Sequence, residues 1–322
     1  MMARLGRSVA AGKWTALFRR DQARAGGRPA LGELSRRRER WFFALVSPWL
    51  AGFLALQAVP LAGALGLSGF EWSLPRPPTF VGAAHFEALA HDPFFARALF
   101  NSLYFAAGTV PASVGLGLAL ALLLNRPRAG MGVFRTIFLL PAVISGVATA
   151  LAWGWILNPQ YGWVNSVLAQ VGIQGPAWLQ DEAWAMPAVM LIQLWTGGVN
   201  MVVYLAALQG VPHELREAAR IDGADAWQGF WNVTWPWITP ATFYLLIANL
   251  IGAFQVFTPI YVLTRGGPYQ ATLTLPVYIY LNAFPWGRPG YAAALACVLV
   301  VTVLGLTLAL SRFTGRRIFY AQ

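Results

Sequence analysis

The chain has 322 residues, of which 57% are hydrophobic and only 11% charged, with a formal net charge of +11. A soluble globular domain carries about 25% charged residues, so this deficit, with several apolar runs of membrane-helix length, excludes an ordinary soluble fold and points to an integral membrane protein. Eleven of the 23 basic residues fall in the first forty positions, so the positive charge is local and gives no argument for nucleic-acid binding.

Residues 1–40 read as an Arg-rich cytoplasmic arm, with Gly26, Gly27 and Pro29 breaking any long helix. A solvated tail is the expectation, and contact with anionic lipid headgroups is the sharper alternative. No short charged region precedes an apolar core, so a cleavable signal is not expected. Residues 41–322 read as one membrane domain. Its apolar runs predict six spans, at Phe42–Gly66, Leu99–Leu124, Phe134–Leu157, Met186–Leu208, Ala241–Thr264 and Tyr291–Ser311, each long enough for roughly 30 Å of hydrocarbon. With the N-terminus inside, nineteen Lys and Arg fall on the cytoplasmic side and only Arg76, Arg97, Arg265 and Arg288 outside. That split predicts both termini in the cytoplasm. In the first outside loop, Val81–Leu89 is predicted to form a short helix ended by the turn signal Asp92-Pro93, and Gly266-Gly267-Pro268 marks a turn in the last one. Cys297 lies in an apolar run and has no cysteine to pair with.

One long polar stretch, Pro212–Pro240, interrupts the apolar second half. Pro212 suits a helix start and Gly223 a helix stop, which predicts helix, turn and second helix on the water side of the membrane. The sequence Glu217-Ala218-Ala219, followed by Asp222-Gly223-Ala224, closely resembles the EAA loop of ABC-transporter permeases. Val233-Thr234-Trp235-Pro236 departs from the Ile-x-Leu-Pro tail of that pattern.

The missing chemistry is informative. His85, His91 and His213 are read as loop residues, and no zinc-type Cys/His cluster exists, so a catalytic or metal site is not expected. The six spans contain no acidic side chain, against the usual coupling site of a proton-driven carrier. The only lysine, Lys13, is followed by Trp14, so there is no G-x-x-x-x-G-K-[ST] cradle for ATP.

The resemblance extends over roughly residues 42–313. Phe80-Val81-Gly82 with Asp92-Pro93-Phe94-Phe95, the Leu263-Thr264-Arg265-Gly266-Gly267-Pro268 turn and the Gly290-Tyr291-Ala292-Ala293-Ala294 opening of the last span are similar to the permeases of sugar and glycerol-3-phosphate importers, and most like the first of their two permease subunits. It implies an all-α, six-span inner-membrane permease of a binding-protein-dependent importer, multi-pass in the cell membrane, with a coupling loop at 211–240 between spans four and five. The partners it implies are a second homologous permease, two cytoplasmic ATPase subunits that hold ATP and Mg²⁺, and an extracytoplasmic solute-binding protein. Glu217, Ala218, Ala219, Asp222, Gly223 and Ala224 would then grip the ATPase. The residues themselves leave a second role for Glu217, an intrahelical pair with Arg220. Carbohydrate is the expected cargo. A phosphorylated polyol carried by the same machinery and a stand-alone secondary carrier are the alternatives. Polar residues inside or near the spans are the candidate solute contacts: Gln193, Trp195, Asn200, Asn249, Gln255, Thr258, Tyr261 and Asn282. Each has a packing role as its competing explanation, since intramembrane amides also bond neighbouring helices.

Overall fold

The computed structural model describes residues 31–73, 77–126 and 128–315. The first thirty residues of the expected basic arm lie outside them. The chain divides into two compact units, residues 1–63 and 64–322.

The first unit holds α1 (Leu31–Phe53), which runs through a π-helical turn at Leu54–Ala58 into α2 (Val59–Leu67), and the boundary between the units falls within α2. Trp41, Phe42, Phe43, Leu45, Trp49 and Leu50 are all exposed on α1 and spread over more than half of its circumference, a composition suited to hydrocarbon rather than water. The π turn ends two residues before Pro60, and a second one, Phe230–Thr234, ends two residues before Pro236. The cause is the same in both places. A proline has no N–H for the carbonyl four residues back, and its ring crowds that carbonyl, so the helix widens instead of breaking.

The second unit begins with a two-stranded hairpin, β1 (Phe70–Glu71) and β2 (Thr79–Phe80), paired antiparallel with Phe70 opposite Phe80. Helix α3 (Ala84–Ala90) leads into α4 (Pro93–Leu124), the central helix of this unit. One face of α4 is buried along its length: Ala98, Asn101, Ser102, Phe105, Thr109, Ser113, Gly117, Ala121 and Leu124. The spacing of three and four residues brings them onto one stripe. The rest of the unit is α5 (Met131–Val143), α6 (Gly146–Ile156), α7 (Trp163–Gln170), α8 (Glu182–Trp195), α9 (Gly198–Gln209), α10 (His213–Ile221), α11 (Ala226–Gly229), α12 (Trp235–Phe254), α13 (Thr258–Leu263), α14 (Leu275–Ala283) and α15 (Pro289–Gly315).

Four helical stretches are long and apolar enough to cross a membrane, at Arg38–Leu67, Pro93–Leu124, Ala226–Leu263 and Pro289–Phe313. Two bent pairs, α5 with α6 and α8 with α9, raise the number to six if each pair is one span. All six predicted runs are therefore helical, but the third and fourth are not straight. The α5–α6 break turns through 99°, after Pro141 has removed one donor and where Ile144 is extended. The α8–α9 break turns through 44° at Thr196 and Gly197. Gly198, just after that bend, lets α9 lie directly against α5, because a Cβ there would stand 2.0 Å from the Phe138 carbonyl oxygen. The fifth run also divides, at Gln255–Phe257 between α12 and α13.

Asp92-Pro93 does more than close the short helix. The Asp92 carboxylate accepts from the Phe94 N–H at 2.9 Å and caps α4, with Pro93 in its first turn. The second span thus starts before the expected Leu99. Two of the three histidines are helical rather than in loops, His85 in α3 and His213 at the start of α10.

Candidate functional site

The polar stretch folds as helix, turn and helix. Helix α10 follows Pro212, carries Glu214 in its first turn and Arg220 in its last, and so complements its own dipole at both ends. Its exit is a Schellman turn. Gly223 takes φ +82°, its N–H donates to the Arg220 carbonyl at 3.1 Å, and the Ala224 N–H donates to the Ala219 carbonyl at 2.9 Å. Asp225 then caps α11: its carboxylate accepts from the Gln228 N–H at 2.7 Å while the Gln228 side chain accepts from the Asp225 N–H at 3.1 Å. Helix α11 continues through the π turn into α12, and along it Trp231 meets Trp227 edge-on at 5.6 Å and Trp235 at a tilt at 5.4 Å. The helix is therefore stopped and restarted within four residues and joined without a gap to a membrane-length helix.

Glu217 is exposed and pairs with His213 Nδ1 at 3.2 Å, one turn back, not with Arg220. Ile221 is 85% exposed. The inner face of α10 closes a cavity of about 360 Å³ whose walls include Leu122 and Asn125 at the end of α4, Leu208 of α9, and Arg216, Ala219 and Phe230.

A second cavity, of about 220 Å³, lies halfway along α4. Thr109 and Ser113 of α4, Gln193 of α8, Asn200 of α9 and Asn249 of α12 line it, with no charged side chain among them. The α8–α9 bend puts Gln193 and Asn200, on its two sides, onto the same space. The Asn200 amide donates to Asn249 Oδ1 at 3.3 Å and the Asn249 amide donates to Asn200 Oδ1 at 3.1 Å and to the Leu245 carbonyl at 2.8 Å. Gly117 lets α9 approach α4 closely at this point, because a Cβ there would lie 2.5 Å from Asn200 Cβ.

Three of the eight candidate solute contacts, Gln193, Asn200 and Asn249, thus share one cavity. The other five lie elsewhere. Gln255 borders a nearly apolar cavity with Phe257, Tyr280 and Phe284. Trp195 packs edge-on against Trp153 at 5.8 Å. Thr258 sits against Gly146 of α6. Tyr261 stacks on Phe257 at 5.1 Å and meets Tyr280 at 4.9 Å. Asn282 is buried and donates to the Tyr278 carbonyl at 2.9 Å. Sequence reasoning passed over Thr109 and Ser113. Their signal was two hydroxyls one turn apart in an apolar run, on the stripe that continues to Gly117 and Ala121.

At the other end of α4, Asp92 accepts from the hydroxyls of Tyr278 and Tyr291, both at 2.5 Å. Burial pushes the Asp92 carboxyl up, but these two bonds and the N–H groups of Phe94 and Phe95 more than offset it, leaving it below the ordinary carboxylate value. Burial, then the bond to Asp92 and its charge, push Tyr278 up to about 12. Among the described residues no group of three or more His, Cys, Asp or Glu is placed to hold a metal ion.

Relatives of known kind match over nearly the whole chain. "Probable ABC transporter permease protein YesP" of Bacillus subtilis is 34% identical over 86% of this chain and 91% of its own length. The sn-glycerol-3-phosphate transport system permease protein UgpA of Yersinia enterocolitica is 33% identical over 84% of this chain and 90% of its own. A chain of the bacterial alginate ABC transporter, solved in complex with its alginate pentasaccharide-bound periplasmic protein, is 26% identical and superposes with a TM-score of 0.78 over 87% of this chain and 96% of its own. Residues 113–317 match the family described as binding-protein-dependent transport system inner membrane component, and with these relatives and this fold the chain belongs to that family of ABC-importer permeases.

Proposed function

We propose that this chain is the first of two homologous permease subunits of an ABC importer for an uncharged carbohydrate, and that it forms half of the path. In this reading it crosses the cell membrane six times with both termini in the cytoplasm. The basic arm of residues 1–40 stays inside, and the membrane domain occupies 41–322. Helix α10 and its turn, with Glu217, Ala218, Ala219, Asp222, Gly223 and Ala224, dock on one of two ATPase subunits that hold ATP and Mg²⁺, while a solute-binding protein delivers cargo from outside. This chain itself carries out no chemistry.

The observation that carries the reading is the placement of the lever relative to the neutral cavity. Helix α10 is tied in sequence to α9 on one side and, through α11 and the π turn, to α12 on the other, so a push on α10 reaches Asn200 and Asn249 through the helices that bear them. ATP-driven closure of the ATPase pair would move the lever, and the two bent spans give the path its softer joints. Gln193, Asn200, Asn249, Thr109 and Ser113 offer amide and hydroxyl groups, suited to sugar hydroxyls. The lining has no Arg or Lys for a phosphate, which favours a neutral saccharide over a phosphorylated polyol.

The test is to co-purify the chain with its P-loop ATPase and measure ATP hydrolysis by the complex with its binding protein and a panel of neutral oligosaccharides and phosphorylated polyols. Stimulation by a neutral sugar is the expected result. Stimulation by phosphorylated polyols alone overturns the cargo, and uptake by the isolated chain overturns the ABC mechanism. Labelling of an Ile221→Cys variant only from the cytoplasmic side checks the orientation.

A further inference from the structure

The largest of the cavities described here, about 840 Å³, is at neither the lever nor the mid-helix site. It opens at the Asp92 end of α4, roughly 25 Å of helix away from Thr109, and its volume falls within the ~300–1,000 Å³ of small-molecule sites. Its walls come from the hairpin, α3, α14 and the start of α15, and they are pinned to one another. Asp92 holds Tyr278 and Tyr291. His85 Nε2 is 3.0 Å from the Phe70 carbonyl oxygen. The hairpin rests directly on α15 at Gly290, where a Cβ would stand 2.1 Å from that same oxygen.

While Asp92 and His85 are used up in holding the walls, other lining groups remain available. Trp286 is 49% exposed, and Trp72 lines the cavity alongside it. Glu71 and Arg288 line the same space, and neither makes an ion pair among the described residues. Two indoles with a carboxylate and a guanidinium in one rigid concavity match the needs of a sugar ring. Its C–H faces pack on flat aromatic surfaces, and its hydroxyls both donate and accept. Apolar cargo would have no use for the two charges, and a small anion no use for the two indoles.

We propose that this outer cavity is a second saccharide-binding site, separate from the mid-helix cavity, that receives one end of a neutral oligosaccharide between Trp72 and Trp286, with Glu71 and Arg288 bonding its hydroxyls. The inference rests on the carbohydrate reading above and adds to it an entry station on the side that faces the binding protein.

The experiment is saturation-transfer NMR on the assembled complex in lipid nanodiscs, without binding protein, using maltotriose, cellotriose, xylotriose and arabinotriose as probes and sn-glycerol-3-phosphate as control. Transfer to at least one trisaccharide is expected. Its affinity should fall about tenfold in Trp286→Ala and in Trp72→Ala, survive largely in Trp286→Phe, weaken in Arg288→Gln, and stay unchanged in Trp155→Ala, which removes an exposed indole that lines none of these cavities. Gel filtration of each variant complex confirms assembly. No transfer to any of the four sugars, or transfer unaffected by both Trp→Ala changes together, overturns the site. If the ATPase of the complex answers only to phosphorylated polyols, the proposed cargo fails, and the NMR result still decides the cavity on its own terms.

Discussion

Asn200 and Asn249 exchange two hydrogen bonds, at 3.3 and 3.1 Å, between α9 and α12. These two helices are joined in sequence through α10, so the pair closes a loop whose other end is the lever. Replacing one asparagine by leucine leaves the other amide without this partner, and replacing both does not. A double-mutant cycle of Asn200→Leu and Asn249→Leu should therefore give a coupling of about 0.6 kcal/mol, up to ~1.7, as intramembrane side-chain bonds do. The measurement is thermal unfolding of the purified complex. Strict additivity would mean that the pair does not hold the helices together.

Gln193 and Gln255 have the same side chain in different surroundings. Gln193 lines the neutral cavity with the asparagine pair, whereas Gln255 borders a cavity walled by Phe254, Phe257 and Phe284. Loss of one hydrogen bond to a neutral solute is worth about 0.5–1.5 kcal/mol. Gln193→Ala should accordingly lower the apparent affinity of uptake by roughly threefold to tenfold with the same amount of assembled complex. Gln255→Ala should change it less. The reverse order in a radiolabelled-sugar uptake assay would move the solute path to the α12–α14 side.

The lever depends on Gly223. At φ +82° a side chain is strained by about 1–2 kcal/mol, and proline cannot adopt that angle or supply the N–H that bonds the Arg220 carbonyl. Gly223→Ala should retain partial uptake and Gly223→Pro none, while both variants still reach the membrane. Glu217→Lys keeps the helix, because its exposed contact with His213 is worth only a few tenths of a kcal/mol. It should nonetheless abolish uptake and uncouple ATP hydrolysis from solute if Glu217 meets a basic groove on the ATPase. Wild-type uptake by Glu217→Lys would remove the residue from the docking face.

How much of this was legible beforehand follows from the range of each signal. The helix and turn could be read because their signals are local: Pro212 and Gly223 act on their own neighbours within five residues, while the cap at Asp225 emerged only in the structure. The six apolar runs were legible because lipid demands a length that few other structures need. The bends were hidden, since Pro141 and Gly197 lie in apolar runs where many prolines and glycines leave the helix straight. The mid-helix cavity was half visible. Asn200 and Asn249 stood out as amides among apolar residues, but nothing in a single sequence says that α4 will bring Thr109 and Ser113 to meet them. Asp92 was read as a local turn, and its bonds to Tyr278 and Tyr291 span most of the chain.

Asp92 caps α4 and receives both tyrosine hydroxyls, so its loss should act on the whole outer end. Asp92→Ala removes the cap, about 1 kcal/mol, and two charge-assisted bonds of about 1.5 kcal/mol each at this half-buried site, for a total of about 4 kcal/mol. Asp92→Asn still caps and should lose about half of that. The pH dependence has a defined sign. The folded carboxyl titrates below its ordinary value, so its contribution is present above that value and is lost only as pH falls through the lower, folded one. Tyr278, raised to about 12, contributes fully below its ordinary value of 10.0 and loses that contribution as pH rises towards 12. Between about pH 5 and 9 neither group titrates, so the difference in melting temperature between wild type and Asp92→Ala should be constant there and shrink toward both extremes. A difference that varies steeply near neutral pH would mean that another group, not this cluster, ties α4 to α14 and α15.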